Sequence, residues 1–564
     1  MLKSIFAVLL SLSCLTAAYA AVSPISLLHN QCIEFNNDAY LADLNQSTSI
    51  ELSQQATTLE YHLLSIVNLR DSVHYYRQYS LAPQDNEYLL QCQLHLADLF
   101  EELIHQPKVV SIVNGLSQAA DPQLSLLGEQ LTQLQSQTLA ITPKAKLHTA
   151  QATIKRGLAP EDVSLLFSES QCEINSTDAN SNRSINLTVA GYLMRQTDTD
   201  CRRKVWQAYQ ARASQRNSQA LQQIWDIRQQ QANNQGFADY TAYSLTTDML
   251  RKPALVKLFL DGQTKPTVSP WDLPQILKQA TSTNTTSISG LEMLLQAYQV
   301  LVEFGVRVEQ IDQRYHRIWL DNRLLGDVII SSGNRSKLLT RRHGVLGHQF
   351  AQIELKLPDT LNNYRQQQQL INTVAQAFEQ LSYSQRHYLL NSGSASNVSR
   401  QIGQLWLSQY LQAQLLPAIA DNSREKLLAE FRHQQRVFRA KIAVNFYALD
   451  APYTDLPQQF TNSFGQPWLN EASYPLHFYA IAEQGPLYYQ HVWQSALSQY
   501  IYRINKPCQN QHHVFTTLLV NEPALPLASI LTTLLGEALT PTQLIERINH
   551  AQAAENKHLS TCAS

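Results

Sequence analysis

Residues 343–348 read His-Gly-Val-Leu-Gly-His, close to a pattern able to hold a metal and move a proton. A zinc hydrolase site of the form H-E-x-x-H sets two imidazoles one helical turn apart, with a glutamate between them as general base. Four residues advance a helix by about 40° net, so both rings reach one metal, whereas five advance it by about 140°. His343 and His348 are five apart, and on a regular helix they point in different directions. With His348 as second ligand, the first-ligand position is Gly344 and the general-base position is Val345. Neither side chain can bind a metal or take a proton. In a chain with 17 His such a pair arises easily by coincidence. It gains meaning only from the elements around it.

Those elements read as mostly helical. From Ile50 to Leu139, Leu and Ile recur at three- and four-residue spacing among Gln, Asp and Glu, with Pro107, Pro122 and Pro143 as punctuation. An Asn/Ser-rich stretch at 174–186 reads as an exposed loop, helix resumes from about Leu187 to Leu250, and another helix runs from Gly290 to Phe304. One region argues for strand: Tyr315 to Trp319 and Leu325 to Ile330, joined by a turn at Asp321-Asn322. After Ser331 the chain is expected to return to helix, which would set 343–348 on a helix directly after a small β element.

The first twenty residues have the pattern of a secretory signal: Lys3, an apolar run from Ile5 to Leu15, and Ala18-Tyr19-Ala20 as cleavage site. The expected location is therefore exported, periplasmic or secreted. No later apolar run is long enough to span a membrane. A formal net charge of −2 supplies no electrostatic reason to expect nucleic acid. Beyond Cys14, the cysteines are Cys32, Cys92, Cys172, Cys201, Cys508 and Cys562. An even number in an exported chain suggests structural disulfides, with sequence neighbours as the simplest pairing: Cys32–Cys92, Cys172–Cys201 and Cys508–Cys562.

The segment from Cys201 to Met249 is the most diagnostic. It reads R-R-K-V-W-Q-A-Y-Q-A-R-A-S from Arg202, then I-W-D-I-R-Q-Q-Q-A-N-N-Q-G-F-A-D-Y-T-A-Y-S-L-T-T-D-M from Ile224. This resembles the thimet oligopeptidase family of zinc metallopeptidases, with neurolysin and oligopeptidase A. Those chains share R-x-x-x-Y/W-x-A-Y-x-x-R-A-S and then L-G-F-x-N-Y-A-x-x-S-L-x-x-K-M. Trp271-Asp272-Leu273, Trp319-Leu320-Asp321, Gly326-Asp327, Gly347-His348, Ser384-Gln385 and the run Tyr488 to Trp493 extend the resemblance over most of 45–500.

The resemblance implies a mainly α, two-lobed helical fold enclosing a deep channel, with a small β element before the former zinc helix. It divides the chain into a signal at 1–20, an N-terminal helical region at 21–170, an oligopeptidase-like domain at 171–500 and a helical tail at 501–564. It also implies a damaged site. Of the metal ligands only His348 remains, with His343 and Glu379 as weak substitutes. The family's third ligand is the Glu of D-F-V-E-x-P-S-Q, four residues before the Gln, and counting back from Gln385 lands on Leu381. The oxyanion-donor position is Gln484. His477, Tyr488 and Tyr489 fall where the family contacts substrate.

The expectation is thus an exported, catalytically inactive oligopeptidase homologue, with binding of short unstructured peptides as its remaining role. No cofactor is expected, the family's own being zinc. One alternative is a working peptidase using His343, His348 and Glu379, with Glu354 as base. Another is an interaction protein whose channel has closed.

Overall fold

The computed structural model describes residues 23–46, 51–137, 141–159, 172, 185–392, 394–505 and 511–553. The expected signal at 1–20, most of the 174–186 stretch, and Cys508 and Cys562 lie outside them. The chain divides into two compact units, residues 1–135 with 339–343, and residues 136–338 with 344–564. This division by packing falls at 135/136, and it leaves 511–553 within the second unit.

The first unit is built of helices, among them Pro24–Glu34, Leu52–Tyr76, Pro83–Ile104, Pro107–Ser117 and most of Pro122–Gln137. Proline stands at the start of four of these, where its missing N–H costs no helical bond and its fixed φ suits the first turn. Leu59, Leu63, Val73, Leu89, Leu103 and Val113 form fully buried stripes between helices. The expected Cys32–Cys92 bridge is present, tying the first of these helices to Pro83–Ile104 across 60 residues of sequence.

The second unit packs helices around a core that includes the fully buried Trp271, Trp406, Trp468 and Trp493. Cys172–Cys201 is also formed, and Asp198 caps the helix Thr199–Ala211 by accepting from the Cys201 N–H. Two disulfides suit an oxidising compartment. Among the described residues no helix is long and apolar enough to cross a membrane.

The sheet is larger than the sequence suggested. Its strands are β1 Val306–Gln310, β2 Tyr315–Leu320, β3 Arg323–Ser332, β4 Lys337–Arg342 and β5 Ala351–Leu357, of which β1, β2, β3 and β5 pair in that order. The β2–β3 hairpin is the expected one, turning through Asp321 at φ 50°. The expectation of helix after Ser331 is corrected by β4 and β5. In β5, Ala351, Ile353, Leu355 and Leu357 are buried at every second position, a strand period. Running parallel to β3, β5 hands the chain to the helix Tyr364–Ser382, capped by the Asn363 side chain. Gly326 on β3 lets this helix come close: a Cβ there would meet the Leu381 side chain at 2.8 Å and the Ala351 carbonyl oxygen at 2.3 Å.

Candidate functional site

The 343–348 box is not helical. His343 ends the first unit's short return segment, and its Nδ1 pairs at 2.6 Å with Asp71, a buried carboxylate on the helix Leu52–Tyr76. Residues 345–349 of the second unit make a tight turn: Val345 and Gln349 bridge, the His348 N–H donates to the Val345 carbonyl at 3.0 Å, and Gly347 takes φ 77°. His348 is exposed there, lining a cavity of about 250 Å³ with Arg323 and Ser384. Val345 is buried. A turn sets no fixed angle between successive side chains, so the helical arithmetic for His343 and His348 does not apply.

The remaining candidate ligands are engaged elsewhere. Leu381 is a core residue packed toward Gly326. Glu354 is on β5, not on a helix, and its carboxylate accepts from Ser331 Oγ at 2.6 Å. Glu379 is buried and forms an ion pair with Arg400. Among the described residues no three His, Cys, Asp or Glu side chains come together as metal donors.

The helix that does follow the sheet, Tyr364–Ser382, carries residues the sequence search passed over. Asn372, Gln376 and Glu379 stand at i, i+4 and i+7 and so share a face. Asn372 and Gln376 are exposed and Glu379 is buried. Asn372 Oδ1 accepts from Ser408 Oγ and from Gln412 Nε2, the latter at 3.0 Å. Both donors belong to the neighbouring helix Ser394–Leu415, as does Arg400. The Arg400 guanidinium lies 4.9 Å from the centre of the Tyr383 ring. Burial disfavours its charge, yet the Glu379 carboxylate holds its pKa above the ordinary arginine value. The only available signal was spacing. Arg400 stands four residues before Gln404, as the ligand Glu stands before Gln in D-F-V-E-x-P-S-Q.

A second cluster gathers two of the three expected substrate contacts. The His477 Nδ1 donates to the Tyr474 carbonyl at 2.5 Å, which leaves Nε2 to accept from Arg439 Nε at 3.4 Å. Burial, with the charges of Arg439 and Arg212, holds this imidazole neutral with a pKa well below the usual histidine range. Arg439 sits beside Tyr488 and 5.3 Å over the Phe478 ring. Among the described residues no carboxylate pairs with it. Tyr489 is 1% exposed, and its hydroxyl donates to Asp248 at 2.9 Å. Gln484 ends the short helix Ala480–Glu483, its N–H donating to the Ala480 carbonyl at 2.8 Å.

With this geometry in hand, a model of peptidase family M3 matches residues 192–300. The structure of PZ peptidase A with inhibitor 2 superposes with TM-score 0.51 at 10% identity, covering 94% of this chain and 97% of that one. The two chains share a fold. The structure of apo-Mg carboxypeptidase from Pyrococcus furiosus gives TM-score 0.46 at 10% identity, covering 89% of this chain and 99% of that one. Comparison with curated protein sequences finds no match. Family model and fold together support an M3-like peptidase family.

Proposed function

We propose that this protein is an exported homologue of the thimet-type oligopeptidases that has lost hydrolysis and binds short peptides. The observation that carries the reading is the polar face of Tyr364–Ser382. In H-E-x-x-H spacing after the sheet, it presents Asn372-Thr373-Val374-Ala375-Gln376. Neutral amides are poor partners for zinc, which takes His, Cys or carboxylate donors. Thr373, at the position of the base, has no group that accepts a proton near neutral pH. At Gln484 a carboxamide stands where the family has a phenol, so the donor for a developing oxyanion is altered too. The five-residue box at 372–376 and the donor at Gln484 change at separate places, which one misplaced motif would not produce. The residues present do not fit a catalytic zinc ion.

The peptide-binding half of the proposal is supported by Arg439, His477 and Tyr488. A guanidinium with no carboxylate partner, flanked by a neutral imidazole and aromatic rings, suits the carboxylate of a short peptide. Export is supported by the N-terminal signal pattern and by the two disulfides. The test pairs metal analysis of purified protein with hydrolysis of a quenched peptide library and calorimetry on a mixed peptide pool. The expected result is substoichiometric zinc, no turnover and micromolar binding. Tightly held stoichiometric zinc with turnover would overturn the reading.

A further inference from the structure

We infer that the Arg400 guanidinium takes the place of a metal cation between the helices Tyr364–Ser382 and Ser394–Leu415, closing them with an internal ion pair to Glu379. The inference rests on the reading of Asn372 and Gln376 as the former ligand positions. It goes further, in saying what the loss of metal left behind and what now balances it.

The donors on this face are already committed. Asn372 Oδ1 is filled by Ser408 and Gln412 from the neighbouring helix. Glu379 is the one carboxylate on the i, i+4, i+7 stripe, and its side chain is 9% exposed. A carboxylate so far removed from water needs a cation or must take up a proton. Arg400 supplies that cation in permanent form, because a guanidinium does not lose its proton in proteins. Its side chain is 16% exposed and leans on Tyr383. With the carboxylate neutralised and a fixed positive charge beside it, a divalent ion arriving at this face would meet repulsion and no anionic donor.

The experiment uses the full mature chain, with melting temperature and zinc stoichiometry as readouts. Wild type should melt at the same temperature in EDTA and in micromolar zinc. Asn372→His with Gln376→His should remain unable to hold zinc while Arg400 is in place. Adding Arg400→Glu to that pair should give one zinc per chain and a melting temperature that rises with zinc. Zinc bound stoichiometrically by the double variant, or a folded triple variant that ignores zinc, would overturn the inference. Should the triple variant not fold, Glu379→Gln alone decides the matter. It should lower the wild-type melting temperature by several degrees, and Glu379→Leu with Arg400→Met should recover most of the loss. An unchanged Glu379→Gln protein would sink the inference. Hydrolysis of peptides that survives EDTA would overturn the proposed loss of activity and leave the ion pair standing. A chelator-sensitive melting temperature without hydrolysis would do the reverse.

Discussion

Two regions of the second unit treat buried charge in opposite ways. In the segment that matches the family model, arginines are spent on backbone. Arg202 is 4% exposed, donates to the carbonyls of Gln196 and Thr197, and pairs with Asp272. Arg228 is also 4% exposed and donates to the Tyr447 hydroxyl and to the carbonyls of Ile481, Ala482 and Glu483. These bonds tie a buried guanidinium to several carbonyls at once, so losing either arginine would cut several charge-assisted bonds together. On the face of Tyr364–Ser382 the exposed positions are neutral amides, and the one buried charge is cancelled by a neighbour. The first region holds a fold together. The second holds two exposed amides and one internally balanced charge. The two regions are thus secured by different bonds.

The comparison breaks most readily at Arg228. Arg228→Met should cost about 3–5 kcal/mol of stability, because four charge-assisted bonds from a buried guanidinium are lost, although the Ile481 and Ala482 carbonyls keep donors in the Tyr447 hydroxyl and the Gln151 amide. Urea denaturation measures it. A loss below about 1 kcal/mol would show that this arginine is not what secures the segment.

Acid should expose a further weakness of the scaffold. Burial, aided by the positive charge of Arg436, lowers the His433 pKa from 6.5 to about 4. The folded state therefore binds fewer protons than the unfolded state between these values. The stabilisation is fully present above pH 6.5 and is lost as pH falls toward 4. The loss is up to about 3 kcal/mol. His433→Gln should flatten that part of the stability–pH curve, and an unchanged slope would assign the acid sensitivity elsewhere.

On the ligand side, Arg439→Met should weaken binding of a peptide pool by about 1–3 kcal/mol, with His477→Ala smaller but in the same direction. Equal affinity in calorimetry would separate this cluster from any peptide. The smallest effect is expected at the exposed face of Tyr364–Ser382. Asn372→Ala removes two side-chain bonds at an exposed position and should cost about 0.5–1 kcal/mol. A cost as large as that of Arg228→Met would erase the distinction between the two regions.

Much of the scaffold was legible because its signals are local. Leucine spacing marked the helices, Asp321-Asn322 between alternating residues marked the β2–β3 hairpin, and adjacency of cysteines marked both observed disulfides. The stretch Ala351-Gln-Ile-Glu-Leu-Lys-Leu357 also alternates, but Gln, Glu, Leu and Lys are good helix formers, and the two histidines before it suggested a helix. That misreading put the 343–348 box on a helix, where the structure has a turn. His343 and His348 attracted attention by residue type, while Asn372, Gln376 and Arg400 are types that a search for metal ligands discards. Position on a helix, rather than chemistry, was the only trace they left. Arg439 was equally invisible, because nothing local shows that a cation lacks a carboxylate partner in the folded chain.

The Cys172–Cys201 bridge has a consequence for how this protein would age outside a cell. The two cysteines are 29 residues apart, and every peptide bond between them lies within a closed covalent ring. A protease that cuts once in the Asn/Ser-rich stretch opens the ring without dividing the molecule. Such a nicked chain would run as one band until a reductant is added, then fall into two fragments. Damage there would accumulate unseen on a non-reducing gel, because the bridge keeps both pieces together.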